Sequence, residues 1–292
     1  FILKIKIKKK EIFGNYLIRM NRKAIIISLS GTSLSKKESI LISKYKPWGI
    51  ILFKRNIISL NQVKNLITKI RVTVKDKKYP ILIDEEGGTV SRLSNFMDNR
   101  VFSQELFGSL YKKNKNTALK VYKNYIDLTC GVLKKIGINI NTIPVLDISN
   151  KNTHRILHSR TYSSNKNIIK ELGAFCTKIY RNHKISTVIK HIPGHGSTSS
   201  DSHKSLPVVK KSLSKLNKND FNCFKNVSSH FAMTAHILYK DIDPSNPATH
   251  SSKIIKNIIR NKIGFKGILI SDDISMKALK YDLIKNAKKS LL

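Results

Sequence analysis

Acidic residues are scarce in this chain: 18 Asp and Glu stand against 55 Lys and Arg, a formal charge of +37. Taken alone, that imbalance points to nucleic acid or an anionic surface as a partner. Yet no RNA- or DNA-binding fingerprint occurs, and no basic cluster stands out beyond the first ten residues. The excess is spread along the chain and travels with abundant Ile and Asn. Coding bias in an A/T-rich genome produces that pattern, so no specific nucleic-acid partner is inferred. Cysteine is also sparse. Cys130, Cys176 and Cys223 are odd in number and far apart, with no C-x-x-C pair. This excludes a disulfide framework and fits a reducing, cytoplasmic setting. No apolar run is long enough to span a bilayer, so no membrane partner is expected. The opening FILKIKIKKKEIFGNYLIR has neither a continuous apolar segment nor a small-residue cleavage site, which argues against a secretory signal. Residues 1–19 read as a basic extension, and 20–292 as one domain.

What is present is a repeated alternation. The 292 residues, 40% of them hydrophobic, suit one large α/β domain. Short apolar runs read as strands: Ala24–Ser28, Gly49–Phe53, Pro80–Asp84, Ile138–Asp147, Ser186–His191, Ala232–His236 and Gly267–Asp272. Amphipathic stretches lie between them, and Ser59–Val74 and Lys166–His183 carry apolar residues at helical spacing. Strand and helix in alternation predict a parallel sheet with helical crossovers. The expected class is α/β, a TIM-type (β/α)8 barrel. The pattern supplies seven strands where closure needs eight, so either a strand is hidden or the last βα unit is lacking and the C-terminus is short. A doubly wound open sheet is the alternative, but no G-x-G-x-x-G follows the first strand.

Most of these strands end in polar residues: Asp84 and Glu85, Asp147, Lys190 and His191, His236, Asp272 and Asp273. C-terminal strand ends form the active-site face of α/β barrels. In a chain dominated by Lys, acids and imidazoles at these positions form a skew that composition does not explain. The densest stretch is KHIPGHGSTSSDSH, residues 190–203. Pro193 and Gly194 stop the strand, and small polar residues follow, which predicts a mobile loop. His191 and His195, four apart, would share a metal only on a helix, which Pro193-Gly194 disfavours; no metal is expected. Asp201 lies two residues from His203, a carboxylate beside an imidazole able to exchange protons near neutral pH. On spacing alone, an incidental surface loop fits as well. In GILISDDISM, Ile268, Ile270 and Asp272 share one strand face, leaving Asp273 to cap a following helix. In IDEEGGTVSRL, Gly87-Gly88 permits a sharp turn after which Asp84 and Arg92 could face one cleft, though a Gly-Gly turn with nearby charges is common in itself.

Together these motifs resemble glycoside hydrolase family 3, specifically its single-domain bacterial β-N-acetylglucosaminidases of peptidoglycan recycling. The resemblance runs from about Ala24 to Leu279. It rests on KHIPGHG followed by DSH, ISDDISM, IDEEGG with Arg92, IPVLDIS, SRTYS around Arg160, and MTAHILY followed by DPSNPAT. It implies a retaining β-N-acetylhexosaminidase acting on muropeptide fragments. Asp272 would be the nucleophile and His203 the acid/base, polarised by Asp201. Asp84, Arg92, Arg160, Lys190 and His191 would bind the sugar, in a positive site suited to anionic fragments. The resemblance implies no metal or organic cofactor, and a monomer. Two departures stand out: Glu85 occupies a position usually Gln or His, and Thr89 one usually Arg. Two rivals remain, a phosphorylase that uses phosphate in place of water, and a non-catalytic barrel that binds wall fragments.

Overall fold

In a computed structural model, residues 22–150, 153, 157–198 and 205–291 are described, together with the backbone of Ile2–Lys6. In chain order the elements are β1 (Ile2–Lys6), β2 (Lys23–Ser28), α1 (Lys36–Tyr45), β3 (Pro47–Leu52), α2 (Leu60–Val74), β4 (Ile81–Ile83), α3 (Gln104–Lys113), α4 (Lys115–Ile136), β5 (Ile140–Asn141) and α5 (Lys166–Asn182). There follow β6 (Ser186–Ile192), β7 (Val208–Val209), α6 (Leu213–Lys218), β8 (Phe231–Thr234), β9 (Leu238–Tyr239), a π-helix (Ile254–Lys262), β10 (Ile268–Ser271) and α7 (Leu283–Leu291).

Seven strands pair in parallel, in the order β2-β3-β4-β5-β6-β8-β10, and the sheet curls. All seven coincide with the strands read from the sequence. The backbone of β1 pairs antiparallel with both edges, β2 and β10. An eighth strand position is thus taken from the opposite end of the chain to the one where a further βα unit was expected. The two helices read from spacing are α2 and α5. In α2 the Ser59 side chain accepts the Gln62 N–H, and Val63, Leu66, Ile67 and Ile70 form the buried stripe. One strand is shorter than expected. The run Ile138–Asp147 pairs as a strand only at Ile140–Asn141, because Pro144 has no N–H to give the ladder. Beyond it, Val145 makes a single parallel bridge to Lys190.

Strand alternation sorts the apolar residues into two cores. Ile26, Ile51, Leu82, Ile140, Val188, Phe231, Met233, Ile268 and Ile270 pack together on the concave side with Trp48. Ile50, Leu52, Ile81, Ile83, Ile189, Ala232 and Leu269 point outward and pack with the helices. Each fully buried Ile or Leu contributes about 1.5–3 kcal/mol relative to exposure. All three cysteines are buried free thiols. Among the described residues, no helix is long and apolar enough to cross a membrane.

Candidate active site

The concave face supplies the site by simple continuation. Two residues beyond Leu82 comes Asp84; beyond Ile140, Thr142; beyond Val188, Lys190; and beyond Ile270, Asp272. Period-two alternation keeps each polar residue on the face of its apolar predecessor, now at the C-terminal rim. Ile268 and Ile270 do share the inner cluster, as the alternation predicts, and Asp272 lies within the fields of His191, His236 and Lys190.

Four of the five expected sugar-binding residues form one connected network with two acids, and Arg92 joins it at the edge. Lys190 Nζ lies 2.5 Å from Glu86 Oε1 and 3.4 Å from Asp84 Oδ1, and donates to Thr142 Oγ1 at 3.0 Å. Thr142 also donates to Asp84. Arg160 forks onto Glu86, Nε to Oε2 at 2.8 Å and Nη2 to Oε1 at 2.9 Å. Its Nη2 lies 3.5 Å from His191 Nε2. His191 Nδ1 is 2.7 Å from Asp147 Oδ2, and Asp147 Oδ1 accepts the His195 N–H at 2.6 Å. Arg92 Nη2 stands 3.7 Å from Asp84 Oδ2. Burial would push the Glu86 carboxyl up, but Arg160 and Lys190 outweigh it and hold it well below the usual range. Asp84 is likewise lowered, with Lys190 and Arg92 overcoming burial. Burial holds the His195 imidazole down to about 4, so it is neutral at physiological pH.

Asp272 sits partly open at the end of β10. Burial would raise its carboxyl, yet the fields of His191, His236 and Lys190 and the Asp273 N–H outweigh it, so its pKa lies below the usual 3.8. It is ionised at neutral pH. Asp273 has another task. Its Oδ1 accepts from Ser275 N at 2.9 Å and Ser275 Oγ at 2.7 Å. The expected helix cap is in fact a turn, because α7 begins only at Leu283. His236 Nε2 meets the Asp273 carbonyl at 3.0 Å, while its Nδ1 meets Thr249 Oγ1 at 2.7 Å. This pair holds the segment that carries Asp272.

Asp201 and His203 lie outside the described residues. The chain on either side of them is fixed. The Gly196 carbonyl accepts from Asn150 Nδ2 at 2.8 Å and Thr153 Oγ1 at 2.6 Å, and Ser197 Oγ donates to Asp220 at 2.8 Å. On the far side, β7 pairs with β9.

Glu86, Asp147, His236 and Thr249 carry the geometry without having been assigned roles from the sequence. All four sat inside motifs already noticed. Their partners are distant in sequence, Glu86 to Arg160 being 74 residues, so only the fold pairs them. Among the described residues, the carboxylates of Asp84, Glu86, Asp147 and Asp272 face three permanent cations, Arg92, Arg160 and Lys190.

Glu86 gives a direct test of this network. Glu86→Gln leaves Arg160 and Lys190 buried without their shared carboxylate, and should cost about 3–5 kcal/mol in urea unfolding at pH 7. The sign follows from the lowered pKa: stability supplied by Glu86 is full above an unfolded glutamate's 4.5 and is lost as pH falls below it. The gap between wild type and variant should therefore shrink in acid. A gap that grows in acid would contradict this account.

The family model for the glycosyl hydrolase family 3 N terminal domain matches residues 19–291. Beta-hexosaminidase A of Pseudoalteromonas piscicida is 28% identical over 268 residues, which cover 85% of this chain and 44% of that protein. The beta-hexosaminidase of Stenotrophomonas maltophilia (strain K279a) is 28% identical over 257 residues, 87% of this chain and 75% of that protein. The chain thus spans less than half of the first relative and three quarters of the second. Among solved structures, NagZ from Neisseria gonorrhoeae, crystallised in complex with N-trifluoroacetyl-D-glucosamine, superposes with a TM-score of 0.84 at 27% identity, covering 92% of this chain and 78% of that one.

Proposed function

The chain belongs to glycosyl hydrolase family 3, and on that premise we propose that it removes terminal β-linked N-acetylglucosamine from peptidoglycan fragments with retention, through a covalent glycosyl-enzyme. The observation that carries this reading is Asp272, an ionised carboxylate at the end of β10 in the field of Lys190, His191 and His236. Asp84 accepts hydrogen bonds from sugar hydroxyls, and Arg92, Arg160, Lys190 and His191 donate to hydroxyl and carbonyl oxygens. Asp272 attacks the anomeric carbon as the bond to the leaving oxygen breaks. His203, polarised by Asp201, gives that oxygen a proton. In the second step His203 takes a proton from water, and the water oxygen displaces the Asp272 carboxylate, so configuration is retained overall. The excess of carboxylates over permanent cations in the inner ring, four against three among the described residues, favours a neutral sugar and water over an anionic phosphate nucleophile. On the same premise, the curled sheet is a TIM-type barrel working in a reducing cytoplasm, where its three buried thiols stay reduced.

One observation favours a second assignment of the proton donor. His191 already carries an imidazole into the site, held by buried Asp147 at 2.7 Å, in the arrangement of an acid/base pair. The two assignments differ in which variant shows dependence on the leaving group.

The function itself is tested by proton NMR of the products from a β-linked N-acetylglucosaminyl disaccharide fragment in phosphate buffer. The expected result is free N-acetylglucosamine appearing first as the β-anomer. The α-anomer first would mean inversion, and the sugar 1-phosphate would mean phosphorolysis.

A further inference from the structure

Glu85 is fully buried one residue past Asp84, and among the described residues no cation is a hydrogen-bond partner of its side chain. Its backbone is clamped by Asn141, whose Oδ1 accepts the Glu85 N–H at 3.0 Å and whose Nδ2 donates to the Glu85 carbonyl at 2.9 Å. From there its side chain crosses the turn through Gly87 and Gly88, both at positive φ. Oε2 accepts two backbone N–H groups at once, Arg92 at 2.7 Å and Leu93 at 2.9 Å, and Oε1 accepts Asn99 Nδ2 at 3.1 Å. The carboxylate therefore ties both ends of the segment 85–93 into a closed ring.

The Arg92 side chain, by contrast, is loosely held. Its guanidinium stands 3.7 Å from Asp84 and 5.8 Å from the centre of the Phe53 ring, and its Nε is buried without a hydrogen-bond partner. Contacts this weak do not fix a guanidinium; the position of its backbone does. We propose that Glu85 is the positioning residue for Arg92, its carboxylate fixing the Arg92 backbone so that the guanidinium lies beside Asp84 in the sugar pocket. This rests on the reading of Asp84 and Arg92 as sugar-binding groups.

A single acceptor oxygen suffices for the two backbone N–H groups, so glutamine preserves the ring if the Asn99 amide turns to present its oxygen. Methionine matches the length and offers no acceptor. A protonated Glu85 would present the same set as glutamine, one acceptor oxygen and one donor, so the acceptor oxygen and not the charge is what closes the ring.

The experiment measures kcat and KM for an aryl β-N-acetylglucosaminide, together with calorimetric binding of N-acetylglucosamine, for wild type, Glu85→Gln and Glu85→Met. Glu85→Met should raise KM and the sugar Kd about tenfold while kcat falls less, since two N–H groups lose their acceptor. Glu85→Gln should restore both. The inference is overturned if Glu85→Met keeps wild-type KM and Kd, or if Glu85→Gln loses them to the same extent as Glu85→Met. Should the Met variant fail to fold, Glu85→Asp decides: one methylene shorter, it draws the acceptor back from the two N–H groups and should raise KM and Kd, and wild-type values in it would overturn the inference. If wild type itself fails to bind N-acetylglucosamine, it is the reading of the pocket that falls.

Discussion

Asp272→Asn should reduce turnover of an aryl β-N-acetylglucosaminide by about 10⁴–10⁶-fold, the scale on which a covalent nucleophile is lost. The amide keeps the shape of the side chain, and the strand end stays in place through the His236 contact with the Asp273 carbonyl. What goes is the negative charge that the surrounding fields keep below the usual 3.8. Asp273→Asn is the control. Its carboxylate is committed to Ser275, so losing it should cost at most about 0.5–2 kcal/mol of stability and little turnover. A dead Asp273→Asn beside an active Asp272→Asn would reverse the assignment.

His203→Ala should show a loss that depends on the leaving group. General-acid assistance is worth about 10²–10⁴ in rate. A natural disaccharide has a poor alcohol leaving group and should lose most of that. A dinitrophenyl glycoside departs without protonation, so its glycosylation step should lose little. Asp201→Asn should move in the same direction by a smaller factor, since it acts through the imidazole. Equal losses on both substrates at every pH, with the leaving-group dependence appearing in His191→Ala instead, would transfer the role to the His191–Asp147 pair.

Much of the fold could be read from residues 24–272 because the signal is local. Short apolar runs, of five or six residues except at Ile138–Asp147, are broken by amphipathic stretches and mark every parallel strand. The alternation in GILISDD already separates Asp272, on the face of Ile268 and Ile270, from Asp273. Pro144 was a warning that Ile138–Asp147 could not pair along its whole length. The strand at Ile2–Lys6 was hidden by its Lys-Ile alternation, which reads equally well as a basic extension.

The site was legible residue by residue but not as a network. Asp84, Lys190 and His191 stand at strand ends, which position alone reveals. Which acid holds which base depends on β4, β5 and β6 lying side by side, and no local pattern encodes that. Glu86 reads as one acid among three, yet it holds both Arg160 and Lys190. Asp147 looked like the polar end of a strand, yet it orients His191 from 44 residues away. Total charge is no guide to the pocket either: the chain carries +37, yet among the described residues four carboxylates face three permanent cations there.

The central claim is a covalent bond between the sugar and Asp272. Its most direct test is to incubate the protein with a 5-fluoro N-acetylglucosaminyl fluoride, which forms the glycosyl-enzyme faster than it is hydrolysed, and to follow intact mass and then peptide masses. The predicted result is a gain of one fluorinated N-acetylglucosaminyl residue, located on the peptide that contains Asp272 and absent from Asp272→Asn. An adduct on any other residue, or a protein that turns the reagent over with no adduct at all, would contradict the account.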